Sequence, residues 1–162
     1  MIKWANTCIL EMIFAVAAVV AMASCGNRNV IPAPAATIFE QADHFELLSL
    51  DPRPQWEPAE GDFHRYKVLG TAVIEDAETR KKLVTALKRA VAENQDYIAA
   101  CFNPRHGIRV TRNGKQADFV ICFQCAQAEL FGEGYTRLLI ANSAQTLFDY
   151  ILRNSGIPLA ER

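Results

Sequence analysis

The chain has no clustered run of lysine or arginine, and its 17 basic and 18 acidic residues leave a formal net charge of −1. Nucleic acid is bound first through its phosphates, so a protein without a basic patch is a poor partner for it. The sequence also lacks Gly-x-Ser-x-Gly, His-Glu-x-x-His, a phosphate-binding loop and a convincing carboxylate pair. Enzymes that depend on those motifs are set aside, and a non-enzymatic role is favoured. No internal repeat is visible. The apolar run from Met12 to Ala23 holds twelve residues, fewer than the ~20 that cross a bilayer.

That run follows Lys3, the cation of an export signal's n-region, and residues 1–24 together read as such a signal. It ends in Met22-Ala23-Ser24-Cys25, which resembles a bacterial lipobox, where small residues precede a cysteine that is lipidated and becomes the mature N-terminus. The resemblance implies a diacylglyceryl thioether on the Cys25 sulfur, and a membrane as the partner on that side. Each buried methylene adds about 0.8 kcal/mol, so two or three acyl chains hold a protein durably. Gly26 follows the cysteine. With no acidic retention residue there, the outer membrane is the expected destination in a bacterium with two membranes. The alternative is an ordinary cleaved signal, or an uncleaved anchor helix, in which Cys25 is incidental.

Removing residues 1–24 takes away one cation, Lys3, and one anion, Glu11, so the remainder keeps its charge of −1. Residues 25–42 set Pro32 and Pro34 among small and polar residues, and are expected to form a lipidated N-terminus and flexible tether. Residues 43–162 suffice for a single domain with a proper core. Phe45 to Leu50 reads as a strand, residues 53–62 as a loop around Pro54, Pro58 and Gly61, and Phe63 to Ile74 as a second strand. Trp56 in that loop is either a lid over the core or an exposed binding residue, and a lid is the commoner case. Asp76 offers the N-cap of a helix reaching about Asn94, with Leu83, Val84, Leu87, Ala90 and Val91 at helical spacing. Its basic residues, Arg80, Lys81, Lys82, Lys88 and Arg89, form a solvated face or one that meets a membrane. Two further strands, 128–131 and 135–140, precede a closing helix with Asn142 and Gln145 as a capping box and Gly156 as its stop. The expected class is α+β, a small antiparallel sheet of about five strands with two helices packed on one face.

Arg112-Asn113-Gly114-Lys115 is the strongest turn signal, because Asn-Gly tolerates the positive φ angles of a two-residue hairpin. With Arg112 facing Lys115, Arg109 faces Asp118, Ile108 faces Phe119 and His106 faces Ile121. Alternation then puts His106, Ile108, Val110, Ala117, Phe119, Ile121, Phe123 and Cys125 on a core face. Cys122 falls on the opposite, mostly polar face. Cys122 and Cys125 would lie about 10 Å apart on a continued strand at ~3.3 Å per residue, too far for a disulfide. Cys101 approaches the strand near Cys125, so Cys101–Cys125 is the first disulfide candidate and Cys101–Cys122 the second. A bridge of that span would contribute about 3 kcal/mol.

With Cys8 in the signal and Cys25 lipidated, three cysteines remain, and one bridge leaves one thiol over. The alternative is a zinc or copper site using Cys101, His106, Cys122 and Cys125, or a set of reactive thiols. A histidine on a core face is more often structural than a ligand. Arg105 and Arg109 are candidates for contact with an anion or a partner. Cys-Phe-x-Pro-Arg-His-Gly-Ile at 101–108, with Ile-Cys-Phe-x-Cys at 121–125, resembles a group of small exported bacterial proteins of unknown function. The resemblance spans roughly residues 63–127 and implies no activity. The expectation is therefore a lipid-anchored cell-envelope protein that binds an unknown protein or small molecule, needs no cofactor, and carries a cysteine-stapled hairpin. The alternative is a thiol or metal protein.

Overall fold

Short turns and alternating burial build one antiparallel sheet from six strands in the computed structural model, which describes residues 29–94 and 99–161. The export signal over 1–24 and Cys25 lie outside those residues. In chain order the elements are α1 (Ala33–Glu40), β1 (His44–Pro54), β2 (Tyr66–Val73), α2 (Ala77–Ala92), β3 (His106–Arg112), β4 (Lys115–Cys122), β5 (Gln127–Phe131) and β6 (Tyr135–Leu139). A 3₁₀ turn (Asn142–Ala144) then leads into α3 (Gln145–Asn154). The strands lie in the order β2-β1-β3-β4-β5-β6, every pair antiparallel. The class is α+β, with six strands where about five were expected and three α-helices where two were expected.

The third helix is α1, and it corrects the tether. Pro32 stands at its N-cap and Pro34 in its first turn, where a missing N–H costs nothing and φ is already helical. Alanine fills much of the rest, and alanine has the highest helix propensity. The helix then buries Ile38 and Phe39, with the Phe39 ring 4.8 Å from that of Phe119 and 5.9 Å from that of Phe45. Even before it, Asn29 pairs with the edge strand as a strand residue would. Its Oδ1 accepts from the Leu139 N–H at 2.7 Å, and its Nδ2 donates to the Leu139 and Val91 carbonyls at 2.7 and 3.0 Å. The packed structure therefore extends back to residue 29 rather than starting at 43.

Helix α2 forms as its pattern predicts. Asp76 accepts from the Thr79 N–H and hydroxyl, both at 2.7 Å, and Leu83, Leu87, Ala90 and Val91 are buried. Lys88 pairs with Glu40 and Arg89 with Glu93, so two of the five cations on that face are neutralised locally. The capping box on α3 does not form. Asn142 opens the 3₁₀ turn instead, and no side chain caps the helix. Gly156, at φ 72°, does end it, with the Gly156 and Ile157 N–H groups donating to the Arg153 and Leu152 carbonyls. That is the double closure a left-handed glycine permits.

The hairpin register is as expected across its whole length, from Arg112 opposite Lys115 to His106 opposite Ile121. The turn residues Asn113 and Gly114 both take positive φ. One sheet face, with Phe45, Leu47, Ile108, Val110, Phe119, Ile121 and Leu138, packs under the helices. The other carries a smaller cluster of Leu48, Leu50, Phe63, Tyr66 and Val120. Phe63 comes from the loop between β1 and β2 and seats against Gly107, where an added Cβ would meet the ring at 2.9 Å. Trp56 in the same loop is 94% exposed, so the lid over that cluster is Phe63 and not Trp56.

Candidate functional site

The cysteines take a different pairing from the one read off the strand. Strand β4 stops at Cys122, and residues 123–126 form the turn into β5, with Ala126 at φ 55°. The turn brings the Cα of Cys125 to 5.2 Å from that of Cys122, and the two sulfurs are joined as a disulfide. Alternation would hold the two cysteines apart only on a strand that ran on through Cys125, and this strand ends at Cys122. Both expected bridges, Cys101–Cys125 and Cys101–Cys122, are thereby overturned, and Cys101 is an exposed free thiol. The expected inward convergence of Cys101 with His106 and Cys125 fails with them, although the residues flanking Cys101 do reach Cys125. The Ala99 N–H donates to the Cys125 carbonyl, and the Asn103 N–H to the Cys125 sulfur, both at 3.3 Å.

The disulfide removes two thiolates from the quartet Cys101, His106, Cys122 and Cys125. Among the described residues no group of three or more His, Cys, Asp or Glu side chains is placed to hold a metal ion. Both disulfide cysteines are buried, and they sit on a hairpin turn. A redox pair of the Cys-x-x-Cys type relies on a helix N-terminus and an accessible sulfur. This geometry is that of a staple.

His106 has a partner that its neighbourhood in sequence does not reveal. It is 2% exposed and its Nε2 lies 2.7 Å from Oδ1 of Asp149 on α3. A carboxylate at such a distance is the acceptor, so Nε2 carries the proton. The ring also packs edge-on against Phe123 and Phe148, at 5.2 and 6.0 Å. Its cross-strand neighbour is Ser49, which is fully buried with an unpaired Oγ. Serine, histidine and aspartate thus occur together, but the hydroxyl is enclosed in the core, where no acyl substrate reaches it. Acyl transfer needs an accessible nucleophile bonded to its base.

Beside this pair lies a cleft of about 250 Å³ lined by Arg105, His106, Gln124, Gln145, Asp149, Arg153, Leu159 and Ala160. It joins the two halves of the cysteine motif to α3. The Arg105 backbone is locked between strands, its N–H donating to Ile121 and its carbonyl accepting from Leu50. Its side chain donates to Gln124 Oε1 at 2.6 Å and to the Glu161 carbonyl at 3.2 Å. Gln145, Asp149 and Arg153 recur every four residues, a polar stripe along one face of α3. That spacing was the available signal for Asp149 and Arg153.

Arg109 is placed elsewhere, on the opposite sheet face, and already has its counter-ion. Its Nε and Nη2 donate to the two oxygens of Asp118 at 3.1 and 3.0 Å, and its guanidinium lies over the Phe63 ring. Asp118 also bonds His64 Nε2 at 3.0 Å and Gln116 Nε2 at 3.1 Å. Burial pushes the Asp118 carboxyl up, but the hydrogen bonds from His64 and Arg109 and their charges outweigh it and hold it below the usual carboxylate range. The same bond to Asp118 raises Arg109. His64 takes φ 60° and stacks on Phe131, ring centroids 3.9 Å apart. This cluster clamps the β1–β2 loop to the sheet, so the expectation that Arg109 awaits an anion or a partner is corrected.

No protein-family model matches the chain, and no curated protein does. Among solved structures it is similar to one described as a "putative lipoprotein from Clostridium perfringens", at 12% identity and a TM-score of 0.42, over 73% of this chain and 89% of that one. A likeness that remote leaves the function to be argued from this chain's own residues.

Proposed function

We propose that this is a lipid-anchored protein of the bacterial cell envelope, and that its α+β domain is a non-enzymatic binding module. The observation that carries the anchor is the order of an apolar run, small residues and Cys25, only four residues before Asn29. The binding reading is supported by the cleft in which both halves of the cysteine motif meet α3. The disulfide supports a scaffold role for Cys122 and Cys125.

The position of Asn29 changes what the anchor would do. Four residue steps reach at most ~14 Å at 3.3–3.6 Å each. With Asn29 clamped to β6 and to the last turn of α2, the domain is held against the bilayer rather than standing off it. The test is acyl labelling of the full chain and of Cys25→Ser in a bacterial host. Label and membrane retention should both be lost in the variant; their persistence would refute the anchor.

A further inference from the structure

We infer that the cleft beside His106 captures an oxyanion, a carboxylate or phosphate group of a small molecule, between Arg105 and Arg153. The inference rests on the binding-module reading and names the ligand's chemistry.

Most arginines outside the cleft are already satisfied. Arg53 pairs with Asp51, Arg89 with Glu93, Arg109 with Asp118 and Arg137 with Glu129, while Arg80 donates to the Ile74 and Ala42 carbonyls. Arg105 differs in kind. It is half-buried and fixed in position, yet its two bonds go to neutral oxygens, of Gln124 and Glu161. A guanidinium has five N–H donors, so three remain. Arg153 lines the same cleft and makes no ion pair among the described residues.

Among the described residues that line the cleft, one carboxylate, Asp149, faces this pair, and it is engaged. Asp149 Oδ1 is held by His106, which leaves the lining with two guanidinium charges against one carboxylate. Gln124 spends its oxygen on Arg105, so its amide N–H₂ is what it has left to offer, and Gln145 adds a second amide. Planar guanidinium forks match carboxylate and phosphate oxygens, and fixing one of them beforehand, as Arg105 is fixed by Gln124 and Glu161, removes part of the ordering cost of binding. A cleft of about 250 Å³ admits a small molecule and not a folded chain.

The test is a nuclear magnetic resonance titration of the full chain in detergent micelles, with inorganic phosphate in one series and succinate in another. The Arg105 and Arg153 side-chain N–H signals should shift and saturate with at least one anion, and the series that saturates identifies the oxyanion. Arg105→Gln also removes contacts within the fold, so Arg153→Gln, exposed at the end of α3, is the decisive variant. It should weaken binding about tenfold, the loss of one charge-assisted hydrogen bond. Lys82→Gln, on α2 and outside the cleft, should leave it unchanged. Absence of saturable shifts in both series, or equal weakening by Lys82→Gln, would overturn the inference. Anchoring is read from acyl labelling and anion capture from these shifts, so either can fail without the other.

Discussion

Replacing Asp118 by asparagine removes the negative charge at the centre of the outer-face cluster while keeping the shape of the side chain. Asp118 is 3% exposed and accepts four hydrogen bonds, two from Arg109, one from His64 and one from Gln116. Breaking a buried pair by removing one partner costs about 3–5 kcal/mol. Arg109 keeps a third of its side chain in solvent, which places the expectation near the lower end, about 3 kcal/mol. The assay is urea unfolding of the purified protein, followed by circular dichroism at several pH values. Because the folded Asp118 carboxyl lies below the usual carboxylate range, its contribution is complete above the unfolded value of about 3.9. It is lost as pH falls through the lower, folded value. The stability gap between the parent protein and the Asp118→Asn variant should therefore be constant from neutral pH down to about 5 and should close below about 4. A gap under about 1 kcal/mol at neutral pH, or one that persists undiminished in acid, would refute the clamp.

Three further replacements test the fold. Phe39→Ala should cost about 3–5 kcal/mol in the same unfolding assay, because Phe39 packs on Phe119 and Phe45; a cost below about 1 kcal/mol would return residues 33–40 to the role of a tether. Replacing Cys122 and Cys125 together by alanine opens a loop of only four residues, worth about 2 kcal/mol on the loop-entropy model. Cys101→Ala should cost far less, and a larger loss there would point to a bridge through Cys101.

Where the argument from sequence held, the deciding physics was local. Asn113-Gly114 set the turn, the turn set every pair from Arg112–Lys115 to His106–Ile121, and Asp76 with the Leu83/Leu87 stripe set α2. Where it failed, the deciding partner was distant or the turn was silent. Ala126 adopts a left-handed conformation with no glycine or asparagine to announce it, and that turn alone converts two cysteines on opposite strand faces into a disulfide. Helix α1 reads as tether because prolines and alanines resemble a linker, and the surface buried by Ile38 and Phe39 is what fixes that helix to the sheet. Asp149 lies 43 residues from His106. The 145/149/153 spacing marks a polar stripe, but nothing in it says which element the stripe faces.

With Cys25 as the proposed anchor, Cys122–Cys125 as the staple and Cys101 as the free thiol, intact mass of the protein extracted from membranes reads all three at once. The expected species begins at Cys25 with the added mass of its acyl chains. It takes one alkyl group before reduction, on Cys101, and three after, as Cys122 and Cys125 are released. A chain without acyl mass, or one that takes three alkyl groups before reduction, would contradict it.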